Sequence, residues 1–152
     1  MIRIATGMSV STELHRFAKG QTIYDQAMHM WQVLVPWVTW RMVDAPLAPG
    51  LLGYGRLAEE MGRGRGEGRL LSRPLDAIRD LCRENGLPAL SIVVVNREKG
   101  IAGGNATTSV HSHFAEEVKA VLAEDWRPYR VPTEEQFRAA HEAGSKQTKE
   151  VT

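Results

Sequence analysis

The apolar positions of the chain fall mostly into helical spacing. After Thr22, a residue type suited to capping a helix start, Ile23, Ala27, Met30, Trp31 and Leu34 recur at three- and four-residue steps. That spacing predicts a helix with one buried face. Pro36 removes an amide and crowds the preceding turn, so the pattern predicts either a kink there or a second helix carrying Trp37, Trp40 and Val43. Upstream, MIRIA reads as a short strand, and Ser11 or Thr12 caps a short helix that ends at Lys19-Gly20.

The second half keeps the helical period and breaks it once. Residues 44–53, DAPLAPGLLG, read as a connecting loop. YGRLAEEMG then predicts a short helix with Leu57, Ala58 and Met61 inward and Gly62 as its stop. Beyond a glycine-arginine loop, Ser72 or Arg73 precedes Pro74, which suits the first helical position, and PLDAIRDLCREN places Leu75, Ile78, Leu81 and Cys82 on one face up to Gly86. The period changes at Leu90–Val95, a β-branched run of strand length, followed by the polar turn REKG and a return strand at IAGG. Helix, helix and hairpin is the order of a winged helix-turn-helix. Ser112 is then expected to cap a helix with Phe114, Val118, Val121 and Leu122 inward, and WRPYRVP to cross extended. Thr133 with Gln136 predicts a capping box for a last helix through about Ala143.

The expected fold class is therefore mainly α with a small β hairpin: a winged helix-turn-helix core at about residues 53–104, with extra N- and C-terminal helices, in one domain spanning 1–143. Residues 144–152, GSKQTKEVT, read as a disordered tail. The 152 residues are 43% hydrophobic and 24% charged, ordinary for one well-buried core. The most apolar stretch, Met28–Val43, is broken by Gln32, Pro36, Thr39 and Arg41 and predicts no membrane span. The start lacks the features of a secretory signal, so a cytoplasmic location is expected. The single cysteine, Cys82, aligns with Leu75 and Ile78 as a core thiol.

Net charge is only +1, but its distribution is uneven. Residues 62–75 hold Arg63, Arg65, Arg69 and Arg73 against Glu67 alone, a local +3 in a glycine-rich segment. Contact with phosphates would use that charge by ion pairing and counterion release. The competing reading is a solvated loop whose arginines pair with Glu59, Glu60 and Glu67.

Several of these residues together resemble a known pattern. Tyr54-Gly55, Leu57-Ala58, Gly62, Arg69-Leu70-Leu71-Ser72-Arg73-Pro74-Leu75, Asn85-Gly86-Leu87-Pro88 and Gly103-Gly104 occur in the order found in the winged-helix domain of the alkylguanine-DNA alkyltransferases and alkyltransferase-like proteins. The resemblance covers residues 53–104, about a third of the chain. It implies a helix laid in the DNA minor groove, with Arg69 entering the base stack and Tyr54 on the target phosphate. Guanidinium groups with small neighbours suit such an approach, and Gly62, Gly64, Gly66 and Gly68 allow the backbone to come near a ligand.

The chain departs from that family where its chemistry lies. Alignment on Asn85-Gly86-Leu87-Pro88 puts Val95 at the acceptor cysteine and Asn96 at the following histidine, keeping only Arg97. Valine has no lone pair to accept an alkyl group, so alkyl transfer is excluded. The segment Leu75–Asn85 is also longer than the family's by about two helical turns.

The first expectation is thus a non-catalytic nucleic-acid-binding protein contacting its partner through Tyr54, Arg63, Arg65, Arg69, Arg73 and Arg97, with no catalytic residue, cofactor or metal. His111-Ser112-His113 with Glu116 and Glu117 reads as a helix cap and an acidic first turn rather than a metal site. A second reading is a small enzyme or effector with an anion pocket at Asn96, Gly103, Gly104 and Asn105. The third is a protein-interaction module, a homodimer through the Trp-rich helices. In that reading Trp37, beside Pro36, is the surface candidate among Trp31, Trp37, Trp40 and Trp126, whose spacing otherwise predicts core packing.

Overall fold

A computed structural model of the protein describes residues 22–96, 101–102 and 111–151, with side chains over 22–96 and 113–144. The expected strand at MIRIA, the helix ending at Lys19 and the turn REKG lie outside the described residues. Helix α1, Ile23–Thr39, starts as predicted: Thr22 Oγ1 accepts from the Asp25 N–H at 3.0 Å, and an Asp25 carboxylate oxygen accepts from the Thr22 N–H at 3.4 Å. Pro36 neither stops nor restarts it. The proline lies on the exposed side, where water can serve the carbonyl that loses its amide partner, and the helix runs through to Thr39.

α1 closes in a Schellman motif. The Arg41 N–H donates to the Val38 carbonyl at 3.3 Å and the Met42 N–H to that of Trp37 at 3.0 Å, with Arg41 in the left-handed region at φ 47°. A side chain there crowds its own backbone. Arg41→Gly is expected to raise stability by about 0.5–1 kcal/mol, read as a higher urea midpoint. A lower midpoint would mean the arginine makes contacts that outweigh its strain.

Strand β1, Leu52–Gly53, leads into α2, Tyr54–Glu60, then a 3-10 helix at Arg65–Leu71 and α3, Ser72–Glu84. Buried Asp44 accepts from the Gly53 N–H at 2.9 Å and fixes the entry to α2. Gly62, at φ 83°, ends α2 as the sequence predicts. Gly86 closes α3 at φ 67°, with its N–H on the Arg83 carbonyl and that of Leu87 on Cys82.

The expected strand Leu90–Val95 is mostly something else. Leu90–Val93 winds into a 3-10 turn and only Val94–Asn96 forms strand β2. Leu90 and Val93 are both buried while Ser91 and Ile92 are half-buried, a three-residue repeat that a turn satisfies and an alternating strand does not. β2 lies at the centre of a three-stranded sheet. It pairs parallel with β1 (Leu52 with Val94, Gly53 with Val95) and antiparallel with β3, Ile101–Ala102 (Val95 with Ala102, Asn96 with Ile101). The molecule is thus mainly helical with a small sheet.

Helix α4, His111–Ala123, starts before Ser112, which therefore lies inside the helix rather than at its cap. Val121 is buried and Phe114, Val118 and Leu122 pack half-buried against the core, as their spacing predicts. The capping box of α5, Glu134–Val151, is present: the Thr133 N–H donates to Gln136 Oε1 at 2.8 Å and the Gln136 N–H to Thr133 Oγ1 at 3.2 Å. α5 does not end near Ala143. Gly144, a poor helix former, is accommodated because its bare Cα faces the Arg83 guanidinium and the Asp80 carboxyl, where a Cβ would collide. α3 is the central helix, with α1 and α5 packed against it. Among the described residues no helix is long and apolar enough to cross a membrane.

Candidate nucleic-acid interface

The glycine-arginine segment is an ordered 3-10 helix laid on the start of α2. Its seat is built from two glycines. A Cβ on Gly68 would stand 2.6 Å from the Tyr54 carbonyl carbon and 2.9 Å from the Gly55 nitrogen, and one on Gly55 would stand 2.6 Å from Arg65 Cγ. Gly64 and Gly66 have open space where a Cβ would be. Of the four glycines expected to favour a ligand's approach, Gly68 is buried against the protein's own backbone and Gly62 serves to end α2.

The four arginines divide into two pairs. Arg63 Nε lies 2.9 Å from Glu67 Oε2, and Arg65 Nη2 lies 3.1 Å from Glu59 Oε1. For these two the competing reading of the sequence holds: the loop's own carboxylates answer their charge. Such partly exposed pairs contribute only about 0–1 kcal/mol each and open at small cost. Arg69 and Arg73 are exposed, and among the described residues neither meets a carboxylate. They flank the junction of the 3-10 helix with α3, whose first turn carries no acidic side chain. Between them Leu70 is 55% exposed.

The remaining expected contacts are placed unevenly. Tyr54 is the first residue of α2, half-buried against the core, with its backbone under Gly68. Asn96 ends β2, half-buried, whereas Arg97, Gly103, Gly104 and Asn105 lie outside the described residues. Val95 is fully buried, paired across the sheet with Gly53 and Ala102, and packs as core. Cys82 is likewise buried. Desolvation pushes its thiol up to about 12, against a smaller opposing effect of a backbone hydrogen bond at Leu90, so it has almost no thiolate at neutral pH.

The tryptophans correct the surface expectation. Trp37 is 1% exposed, donates its indole N–H to the Leu51 carbonyl at 3.2 Å and carries the Arg56 guanidinium 5.5 Å from its ring centre. Trp40, expected on the buried face, is instead 74% exposed, beside exposed Met42 and Val43. Trp40 lies one turn past exposed Pro36 on the same face of α1, its N–H still on the Pro36 carbonyl at 3.0 Å, and the turn at Arg41 then carries Met42 and Val43 out of the helical register.

A cluster that no spacing marks joins α3 to α5. Buried Asp80 holds Arg83 at 3.1 Å, Arg79 at 3.3 Å and His141 Nδ1 at 3.1 Å. Only an acidic residue inside the buried face of α3 hinted at it. No family model, curated protein or solved structure matches the chain.

Proposed function

We propose that the protein is a non-catalytic nucleic-acid-binding protein of winged-helix type, with the Arg69–Arg73 junction as its contact surface. The observation that carries this is the pair of exposed guanidiniums at the start of α3, without carboxylate partners among the described residues. The positive end of a helix adds to their attraction for phosphate. Exposed Leu70 between them supplies the apolar group that minor-groove proteins set against a base step beside an arginine. The order of α2, α3 and the β2–β3 pair supports the winged-helix assignment, as does the resemblance to the alkyltransferase-like domains. Buried Val95 agrees with binding without alkyl transfer.

Arg63 and Arg65 have a secondary role here, joining the contact only by leaving Glu67 and Glu59. Arg69→Ala is expected to weaken binding to a short duplex about tenfold in a gel-shift titration. Arg69 is exposed, so the variant should keep the wild-type fold. Unaltered affinity would remove this reading.

A second reading, self-association, is favoured by the exposed Trp40, Met42 and Val43. It predicts a dimer in light scattering that Trp40→Ser separates; a wild-type monomer disposes of it.

A further inference from the structure

A cavity of about 400 Å³ opens beside Arg73, between the starts of α1 and α3 and the body of α5, lined by Ile23, Tyr24, Arg73, Asp76, Ala77 and His141. Its polar groups are held in fixed roles. Asp80, only 4% exposed, sits behind it with Oδ1 on Arg79 and Arg83 and Oδ2 on His141 Nδ1 at 3.1 Å. With Nδ1 held against the carboxylate, Nε2 is left without a partner among the described residues. Asp76 is paired with Arg79 at 3.3 Å. Arg73 is the cation of the cavity that no carboxylate answers among the described residues. Its remaining walls are apolar or aromatic: Ile23, Ala77 and Tyr24, whose ring meets His141 edge-on at 6.4 Å and carries Arg138 5.3 Å from its centre.

A ligand that satisfies all of these groups has an anion for Arg73, a hydroxyl, which can donate or accept, for His141 Nε2 and a flat body to lie along Tyr24. The volume lies in the range of small-molecule sites. We propose that this cavity binds a ribonucleotide unit, its phosphate on Arg73 and a ribose hydroxyl on His141, with the base against Tyr24. The unit is either a free nucleotide or the end of an RNA strand. For the strand, the inference rests on the nucleic-acid reading above and adds to it a preference for ribose, since a sugar hydroxyl is what separates RNA from DNA at a single site.

Calorimetry with adenosine monophosphate on the full chain tests it. Wild type is expected to bind, and the 2′,3′-dideoxy analogue to bind about tenfold more weakly because Nε2 then has no hydroxyl partner. Arg73→Ala and His141→Ala should each lose about tenfold, and His141→Gln, which keeps a side-chain acceptor, should recover part of it. Arg73 and His141 are both exposed, and far-ultraviolet circular dichroism verifies the fold of each variant. Absence of adenosine monophosphate binding, equal binding of the dideoxy analogue, or equal binding by both alanine variants overturns the proposal. Competition separates the sources: a short 5′-phosphorylated RNA that displaces the nucleotide makes the strand end the ligand, and one that does not leaves the free nucleotide. Binding of a duplex without the nucleotide sinks this inference alone, whereas binding of the nucleotide without any polymer sinks the nucleic-acid reading alone.

Discussion

Trp126→Ala is expected to lower the free energy of unfolding by about 3–5 kcal/mol, the largest single effect in the molecule. Trp126 is 1% exposed and sits where the chain turns from α4 toward α5. Its ring meets Trp31 of α1 edge-to-face at 5.7 Å and Tyr129 at 5.8 Å, so one side chain ties α1 to the crossing segment. The indole N–H also donates to the Val121 carbonyl at 2.8 Å, closing the end of α4. Alanine removes the aromatic area, opens a cavity between α1 and α4 and leaves that carbonyl with only the longer bond from the Glu124 N–H at 3.3 Å. Trp126→Phe keeps most of the area and loses the hydrogen bond, so it should cost about 1–2 kcal/mol. Urea unfolding reads both. A loss below about 1 kcal/mol for alanine would mean the two halves are not joined through this ring.

Gly68→Ala comes next, at about 1–3 kcal/mol. The new methyl would lie 2.7 Å from the Tyr54 carbonyl oxygen and 2.6 Å from its carbon, and backbone cannot move aside as the end of a long side chain can. The 3-10 helix would have to lift from α2, carrying Arg69 and Leu70 with it. The substitution should therefore weaken duplex binding as well as stability. Gly66→Ala is the control: it has open space and should change neither by more than about 0.5 kcal/mol. Equal effects at the two positions would show that loss of flexibility, not contact with Tyr54, is responsible.

Most of the helical architecture was legible because each helix carries its own local signals. Thr22 as a helix start, Thr133 with Gln136, and the stops at Gly62 and Gly86 act within one turn and are met in the structure. What failed depends on the third dimension. Leu90–Val95 is β-branched enough for a strand, yet burial of Leu90 and Val93 on one side turns it into a 3-10 coil. Pro36 does not break α1 because it faces outward, a direction that composition does not carry. The exchange of roles between Trp37 and Trp40 follows from the continuity of α1 through Pro36: Trp37 falls three residues past buried Leu34, and Trp40 four past exposed Pro36.

The site was half legible. The density of arginines was visible, but which of them retain an unanswered charge depends on where Glu59 and Glu67 come to lie, and that pairing leaves Arg69 and Arg73 without a carboxylate among the described residues. The Asp80–His141 contact joins residues on α3 and α5 far apart in sequence, so no motif points to it. Val95 is a case where the two levels agree on packing: the last apolar residue of the run is one the sheet buries completely.

The most direct measurement is the salt dependence of duplex binding by the wild-type protein. With Arg69 and Arg73 each displacing a counterion, the logarithm of the binding constant should fall against the logarithm of salt concentration with a slope of about −2, dropping by about one in Arg69→Ala. A flat response in the wild type, or a slope that Arg69→Ala leaves unchanged, would contradict the account.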